Sequence, residues 1–245
     1  MRIPRIYTEQ SLASDAHVTL EKRPSHHLAN VLRLGIDDTI TLFNGRGAEY
    51  SGVITALGKK AVSVETGEKQ QNTCESPLAI HLGVAISRGE RMDWVIQKAT
   101  ELGVAAVSPL FSERVEVKLS SDRAEKKLRH WEEIAISACE QCGRNTLPFL
   151  SPPQTIKDWL TNTEAARKFV LHHKASQRRE GKDAPSSIAL LVGPEGGLSA
   201  TEIEQAENNG YVALSLGPRV LRTETAPLAA IAILQSKWGD MKPHA

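Results

Sequence analysis

Apolar runs of strand length alternate with helical patterns over most of the chain, and this alternation constrains the fold more than any other feature. The runs cover residues 78–86, 104–111, 169–172, 188–192 and 211–216. Unbroken apolar runs of this length are typical of strands that are buried on both faces, and strands that alternate with helices form parallel sheets. The sequence therefore predicts an α/β domain with a mostly parallel sheet over residues 73–245.

The helices between these strands carry recognisable start and stop signals. Residues 121–143 place apolar side chains at helical spacing. Ser199 and Glu202 have the spacing of a capping box, which predicts a helix that runs to about Gly210. A final helix is predicted over 226–238.

The residues before this domain have a different pattern, which is typical of a small β-rich domain. Alternating segments separated by glycine turns lie at 38–43, 48–57 and 61–65. Short strands joined in this way indicate a small barrel or sandwich, with one short helix over 25–33. The polar stretch 68–73 has no apolar period, and we predict a linker there. The expected β-rich domain covers residues 1–72.

The overall composition excludes several classes of protein. The chain has 30 Lys and Arg against 29 Asp and Glu, a net charge of +1, which is not that of a histone-like polycation. A local basic patch is still compatible with nucleic-acid binding. We find no signal-peptide pattern and no apolar run of membrane-spanning length. Three cysteines do not make a disulfide framework, so we expect a cytoplasmic protein without membrane contact.

A glycine-rich turn follows the apolar run 188–192 and precedes the capped helix. Gly193, Gly196 and Gly197 allow a ligand to approach backbone N–H groups at the start of that helix. The turn is not the dinucleotide pattern GxGxxG, and it lacks the Gly-Lys-Ser/Thr ending of a P-loop. A tight turn without a ligand remains the alternative.

A second turn of this kind connects the run 211–216 to the final helix. It contains Gly217, Arg219, Arg222 and two threonines around Glu224. Both turns follow strands of a parallel sheet, so they should lie side by side at the edge where such sheets bind ligands. The two arginines are alternatively solvated surface charges, and Thr225 is alternatively an N-cap.

Several blocks of the sequence resemble the RsmE family, whose members methylate N3 of a uridine in 16S rRNA and belong to the SPOUT class of methyltransferases. The two signature blocks of the family resemble 193–199 and 216–226, and further blocks resemble 92–104 and 131–144. The similarity continues at 2–7 and 26–33, so it spans nearly the whole chain in order.

The resemblance implies a fold, a cofactor and an assembly that the residue pattern alone does not give. The expected fold is a PUA-like β-barrel over 1–72 followed by a SPOUT α/β domain over 73–245, with a deep trefoil knot at about 188–238. The expected cofactor is S-adenosylmethionine, held in the knot loops. The expected partners are 16S rRNA in the assembled small ribosomal subunit and a second copy of the chain. Leu228, Ile231 and Leu234 of the last helix either form the dimer interface or belong to the core.

The resemblance also implies a set of cofactor-binding residues by their positions in the motifs. These are His172, Leu191, Val192, Gly193, Glu195, Gly196, Gly197, Leu216, Gly217, Val220, Leu221, Thr223 and Ala226. A histidine at a strand end, such as His172, is alternatively a plain surface residue.

Methylation of uridine N3 requires loss of the N3 proton, and negative charge then spreads onto O2 and O4. A site for this reaction needs a base or a cation that eases the deprotonation. We expect Arg222 to supply the cation, and Glu195 and Glu224 are the candidate bases. Either carboxylate is alternatively structural.

Contact with RNA must come from local groups of basic residues. The expected RNA-binding residues are Arg2, Arg5, Arg23, His26, Arg33 and Arg91. Aromatic residues make up only 4% of the chain, which favours recognition of shape and backbone over base stacking.

Cys139 and Cys142 have the spacing of half a zinc site. They lie in a helical pattern, and a structural zinc site needs four ligands, so no metal is predicted.

The functional alternatives are a SPOUT-class methyltransferase that acts on another rRNA or tRNA nucleotide, and a ribosome assembly factor without catalysis. An unrelated α/β enzyme with a phosphate-bearing nucleotide is disfavoured by the missing glycine motifs.

Overall fold

A computed structural model describes residues 3–58, 61–72, 74–87, 89–114, 120–172 and 183–242. Arg2 lies outside these ranges. The chain forms two compact units, of which the first is Met1–Glu75 with Ile136–Leu147 and the second is Ser76–Ala135 with Pro148–Ala245. The sequence did not indicate that 136–147 return to the first unit. The division into domains at 72/73 stays a prediction.

The first unit is built on a five-stranded sheet with one short helix. Its elements are β1 (Arg5–Tyr7), β2 (His17–Thr19), α1 (Lys22–His26), a π-helical turn (His27–Val31), β3 (Thr39–Phe43), β4 (Ala48–Leu57) and β5 (Val62–Gln71). The strand order is β1-β3-β4-β5-β2, and only the β1–β3 pair is parallel. The alternation in the sequence holds, since Ile40, Ile54 and Val64 point into the core and their strand neighbours face outward.

The predicted linker over 68–73 is wrong for most of its length. β5 continues through Gln71, which pairs with Ala48 of β4. The side chains of this end of β5 are exposed. Backbone hydrogen bonds between strands do not require apolar side chains, so the polar composition did not reveal the strand.

Arg5 is part of a polar network inside the first unit, and its predicted contact with RNA stays a prediction. Its side chain is only 10% exposed and forms an ion pair with Glu49. The guanidinium also donates to the Asn145 side chain and to the Arg144 backbone oxygen, and it lies over the Phe43 ring. These partners fix the guanidinium in place within the first unit.

The Arg5–Glu49 pair predicts how the stability of the chain depends on pH. Burial of the Glu49 carboxyl opposes its ionisation, but hydrogen bonds from Arg5 and Asn72 outweigh burial and lower its pKa. The folded pKa lies below the unfolded one, so Glu49 stabilises the fold at neutral pH and this stabilisation is lost as the pH falls through the folded pKa. We expect Glu49→Gln to lower the free energy of unfolding at pH 7 by about 2 kcal/mol.

Urea denaturation of both proteins between pH 7 and pH 3 measures this effect. The difference between wild type and variant should shrink below the ordinary glutamate pKa of 4.5. Glu68→Gln changes an exposed glutamate on β5 and serves as the control. A difference in the free energy of unfolding between wild type and Glu49→Gln that stays constant from pH 7 to pH 3 would contradict a lowered pKa of Glu49.

The second unit contains a seven-stranded sheet in which every recorded strand pair is parallel. The strands are β6 (Ala79–Ala85), β7 (Ala106–Phe111), β8 (Phe149–Leu150), β9 (Gln154–Thr155), β10 (Arg167–Leu171), β11 (Ser187–Val192) and β12 (Val212–Leu214). The helices are α2 (Arg91–Glu101), α4 (Ile156–Asn162), α5 (Ala200–Asn208) and α6 (Thr225–Trp238), together with α3 (Ser121–Cys142) as far as Ala135. The order is β12-β10-β11-β6-β7-β8, with β9 also paired to β7. The predicted α/β architecture with a mostly parallel sheet is confirmed.

β11 shows why the apolar runs of this half are unbroken. Its residues Ile188, Leu190 and Val192 pack with the cluster that includes α2 and α6, whereas Ala189 and Leu191 pack with the cluster of α4 and α5. Both faces of the strand are therefore buried, and each face requires an apolar side chain.

The helix signals in the sequence are confirmed at several ends. Ser199 and Glu202 form the predicted capping box at the start of α5. α3 ends at Cys142 and is followed by Gly143 with φ +96°. Among the residues that the structure covers, no helix is long and apolar enough to cross a membrane.

The last helix answers one alternative left open by the sequence. Ile231 and Leu234 of α6 are buried in the core of the second unit, and Leu228 is partly buried. The apolar residue that α6 exposes is Ile233, at 49%.

Candidate functional site

The carboxyl ends of β10, β11 and β12 meet at one edge of the sheet, and the segments that follow β11 and β12 line a cleft of about 570 Å³ there. The glycine turn 193–197 forms one wall, and residues 214–224 form another. Arg91 at the start of α2 and Arg114 after β7 complete the lining. The prediction that the two glycine turns lie side by side at this edge is confirmed.

Twelve of the thirteen residues that the resemblance implied for cofactor binding line this cleft. They are His172, Val192, Gly193, Glu195, Gly196, Gly197, Leu216, Gly217, Val220, Leu221, Thr223 and Ala226. Leu191 is not part of the lining; its side chain is fully buried on the other face of β11. The period of two along a strand explains this difference, since Leu191 points away from its neighbour Val192. That these residues bind a cofactor stays a prediction.

Gly193 is required by the close approach of the chain to itself. A Cβ atom at this position would lie 2.8 Å from Cγ and 2.9 Å from the backbone N of Leu198. Any larger residue must therefore displace the backbone at the start of α5. Gly197 and Gly217 have φ angles of +68° and +95°, a region in which glycine is strongly favoured, and they turn the two loops toward the helices that follow.

The contrast between two glycines in the same loop predicts their effects on stability. Gly193→Ala is expected to lower the free energy of unfolding by about 1–3 kcal/mol because the added methyl group overpacks the turn. Gly196→Ala is the matched control, since a Cβ there meets only Arg114 side-chain atoms at 3.5 and 3.6 Å. Thermal unfolding of both variants measures the difference. Equal melting temperatures would show that the turn relaxes freely.

Arg91 connects the two loops through the two glutamates that were proposed as bases. Its guanidinium forms an ion pair with Glu195 at 2.5 Å and lies 4.0 Å from the Glu224 carboxylate. Glu195 and Arg91 are each 45% exposed and Glu224 is 23% exposed. An exposed pair of this kind contributes little to stability, so its main consequence is to hold two acidic side chains together at the cleft. Arg91 is thus engaged within the cleft, and its predicted contact with RNA stays a prediction.

Arg222 is exposed and lines the same cleft. Its backbone oxygen accepts hydrogen bonds from the N–H groups of Thr225 and Ala226, so its position is fixed by the start of α6. In the described parts of the chain, no carboxylate lies within ion-pairing distance of its guanidinium.

Glu224 occupies the N-cap position and Thr225 is the first helical residue, so the alternative of Thr225 as N-cap is wrong.

Arg114 also lines the cleft, although no motif in the sequence singled it out. Its Nη1 atom donates to the backbone oxygen of Gly196 at 2.7 Å. The only signal in the sequence was that it closely follows the apolar run 104–111, at the edge of the sheet where ligands bind.

The other residues proposed for RNA binding lie in the first unit. His26 and Arg33 are exposed. The Arg23 side chain is 40% exposed and lies 3.9 Å from the Glu140 carboxylate. Their contact with RNA stays a prediction.

The cysteine pair in α3 is not suited to metal binding. Cys139 is buried, and burial raises the pKa of its thiol to about 12, whereas a zinc ligand must be a thiolate. Over the described ranges, no group of three or more His, Cys, Asp and Glu side chains is arranged to hold a metal ion.

Comparison with known proteins gives matches over the whole chain. A family model described as an RNA methyltransferase domain matches residues 74–235, and one described as an RNA methyltransferase PUA domain matches residues 20–66. The second match confirms the expected PUA-like domain. The ribosomal RNA small subunit methyltransferase E of Buchnera aphidicola subsp. Schizaphis graminum is 40% identical over 98% of this chain and 98% of its own length.

A second relative of the same description, from Bacillus subtilis (strain 168), is 31% identical over 93% of each chain. Among solved structures, a ribosomal RNA small subunit methyltransferase E from Neisseria gonorrhoeae, bound to S-adenosyl methionine, has a TM-score of 0.92 at 40% identity. The match covers 98% of this chain and 100% of that one.

Proposed function

This chain belongs to the ribosomal RNA small subunit methyltransferase E family, and we propose that it transfers a methyl group from S-adenosylmethionine to N3 of one uridine in 16S rRNA. The chain is an RNA methyltransferase with an N-terminal PUA-like domain and a SPOUT methyltransferase domain. The observation that carries the proposal is the cleft between the two glycine loops. It holds Arg222, which has no ion-pair partner among the described residues, and two carboxylates beside a surface that suits a nucleoside.

The lining of the cleft fits S-adenosylmethionine. Its volume of about 570 Å³ lies within the usual range for a small-molecule site. Val192, Leu216 and Leu221 offer apolar surface for an adenine ring, and the glycine loops expose backbone groups for the ribose. The cofactor has no phosphate groups, which agrees with loops that lack a P-loop lysine. When bound, it supplies a methyl group on a positively charged sulfur.

Arg222 provides the cationic group that the uracil requires. Loss of the N3 proton leaves negative charge on O2 and O4, and a guanidinium offers several donors in a fixed plane to such oxygens. Because no carboxylate neutralises Arg222 among the described residues, its charge is available to the substrate.

Glu224 is the better candidate for the general base. Both Glu195 and Glu224 lie at the cleft, but Arg91 engages Glu195 at 2.5 Å and approaches Glu224 only to 4.0 Å. Glu224 is also the less exposed of the two. It lies two residues from Arg222, so one loop presents both the base and the cation. Glu195 and Arg91 then hold the opposite wall in place.

The PUA-like domain provides the second part of RNA recognition. Arg23, His26 and Arg33 are exposed basic residues of this domain. Basic side chains of this kind bind phosphates without reading sequence, so the choice of one uridine requires the folded RNA of an assembled small subunit.

Four further features belong to the proposal: a trefoil knot at about 188–238, a homodimer, a domain boundary near residue 72 and a place in the cytoplasm. The knot is supported by the parallel order β12-β10-β11 and the adjacent loops. The dimer is supported by Ile233, which α6 exposes. A crystal structure tests the knot and the boundary, light scattering tests the dimer, and cell fractionation tests the location.

The proposed substrate is tested by incorporation of labelled methyl groups from S-adenosylmethionine. Small subunits without this modification, naked 16S rRNA, large subunits and tRNA are compared at equal concentration. We expect transfer to small subunits and at least tenfold less to the others. Transfer to tRNA or large subunits would favour another SPOUT-class substrate. Cofactor binding without transfer to any RNA would favour an assembly factor.

A further inference from the structure

A buried carboxylate joins the loop after β7 to the glycine loop of the cleft. Glu202 of α5 is only 4% exposed. Its Oε2 accepts hydrogen bonds from the backbone N–H of Ser199 at 2.8 Å and from the Ser112 hydroxyl at 3.1 Å. Its Oε1 accepts from the backbone N–H of Glu113 at 2.9 Å. A capping box needs only the first of these bonds, so the other two serve the loop that contains Ser112 and Glu113.

The hydrogen bonds from Ser112 and Glu113 to Glu202 fix the backbone next to Arg114. Arg114 follows Glu113 directly, and its Nη1 donates to the Gly196 backbone oxygen at 2.7 Å. A guanidinium has five N–H donors, and the described residues use one of the five. Arg114 is exposed and lines the cleft, so a charged group with free donors is held at a defined place on its wall.

Among the described residues, no carboxylate lies within ion-pairing distance of Arg114. Four arginines and two glutamates line it in the described residues: Arg91, Arg114, Arg219, Arg222, Glu195 and Glu224. Arg91 lies against both glutamates. The positive charge of Arg114 is therefore not balanced within the described part of the site.

Arg114 and Arg222 belong to loops that follow two different strands of the sheet. Arg222 follows β12 and Arg114 follows β7, and four strand spacings separate these strands in the order β12-β10-β11-β6-β7. At about 4.8 Å per spacing, β7 and β12 lie roughly 19 Å apart in the sheet. With Arg222 assigned to the uracil, Arg114 is placed for a different part of the RNA.

We propose that Arg114 binds a phosphate of the RNA strand next to the target nucleotide, and that Glu202 positions it through Ser112 and Glu113. This inference rests on the proposed function. Guanidinium and phosphate form charge-assisted, often bidentate hydrogen bonds, and such contacts set the register of a nucleic acid without reading its sequence. Arg114 thereby orients the strand so that one uridine reaches the base and the cation of the second loop.

Steady-state kinetics of Arg114→Ala with small subunits as substrate test this role. The KM for the RNA should rise about tenfold, with kcat within about threefold and the affinity for S-adenosylmethionine unchanged. In a plot of log affinity for RNA against log salt concentration, the negative slope should become shallower by about one. This is the change expected for one lost phosphate contact. Arg114→Lys should recover part of the affinity. Arg129→Ala removes the same charge from an exposed position on α3 and should change none of these values.

Glu202→Gln tests the positioning step, with thermal unfolding measured alongside. If Glu202→Gln folds, its KM for RNA should be raised, as in Arg114→Ala. The double variant should have a KM close to that of Arg114→Ala alone. A loss of cofactor affinity in Arg114→Ala with an unchanged KM for RNA would overturn the proposal, because Arg114 would then act only on Gly196. Unchanged values throughout would also overturn it.

The test separates this inference from the proposed function. If the wild-type protein methylates no RNA, the proposed function fails, and filter binding of small subunits at two salt concentrations still decides whether Arg114 contacts phosphate. An equal salt slope for wild type and Arg114→Ala would overturn the inference in that case.

Discussion

Replacing Arg222 by alanine is expected to lower kcat for methyl transfer about a thousandfold, while the affinity for S-adenosylmethionine stays within about twofold of wild type. The reason is that the Arg222 guanidinium meets negative charge that develops on the uracil only as the N3 proton leaves. Charge that is absent from the ground state does not contribute to cofactor binding. Single-turnover methyl transfer and calorimetric titration of the cofactor measure the two quantities separately.

Two further variants make the Arg222 result specific. Arg222→Lys keeps the charge but loses the planar donor pair and should recover only part of the rate. Arg123→Ala removes an exposed arginine of α3 and should leave both quantities unchanged. If Arg222→Ala turns over at the wild-type rate, Arg222 has no part in the chemistry.

Replacing Glu224 by glutamine is expected to lower kcat about a hundredfold, as for loss of a general base. The variant cannot accept the N3 proton, so its rate should rise with pH as hydroxide and water take over this step. Glu195→Gln removes the other carboxylate of the cleft and should lower kcat less than about tenfold, because Glu195 is held by Arg91. The pH–rate profiles of both variants and of wild type are the measurement.

The comparison between the two glutamates decides their roles. A larger loss in Glu195→Gln than in Glu224→Gln would exchange the assignments. Wild-type rates and pH profiles in both variants would mean that neither carboxylate takes the proton.

The sequence predicted those parts of the structure that depend on neighbouring residues. Strand β4 begins at Ala48 and ends at Leu57, as its alternation indicated, and the capping box of Ser199 and Glu202 is present. Both features arise from contacts within a few residues, and side-chain periodicity records such contacts directly. The two glycine turns were located for the same reason.

The features that the sequence did not reveal depend on contacts between distant residues. The Arg91–Glu195 pair spans 104 positions, and the bond from Ser112 to Glu202 spans 90. No local pattern distinguishes a glutamate that caps its own helix from one that also anchors a loop elsewhere. The contacts of Arg5 were not foreseen for this reason, since its partners Arg144 and Asn145 lie 139 and 140 positions away.

The product of the reaction tests most directly whether this chain methylates N3 of one uridine in 16S rRNA, as we propose. Small subunits that lack the modification are incubated with S-adenosylmethionine and with wild-type protein or Arg222→Ala. The rRNA is then digested for nucleoside mass spectrometry and copied by reverse transcriptase. We expect 3-methyluridine as the new nucleoside and a single stop at one uridine, both strongly reduced with Arg222→Ala over the same incubation time. A methyl group on C5 of uracil, on a ribose hydroxyl or on another base would contradict it.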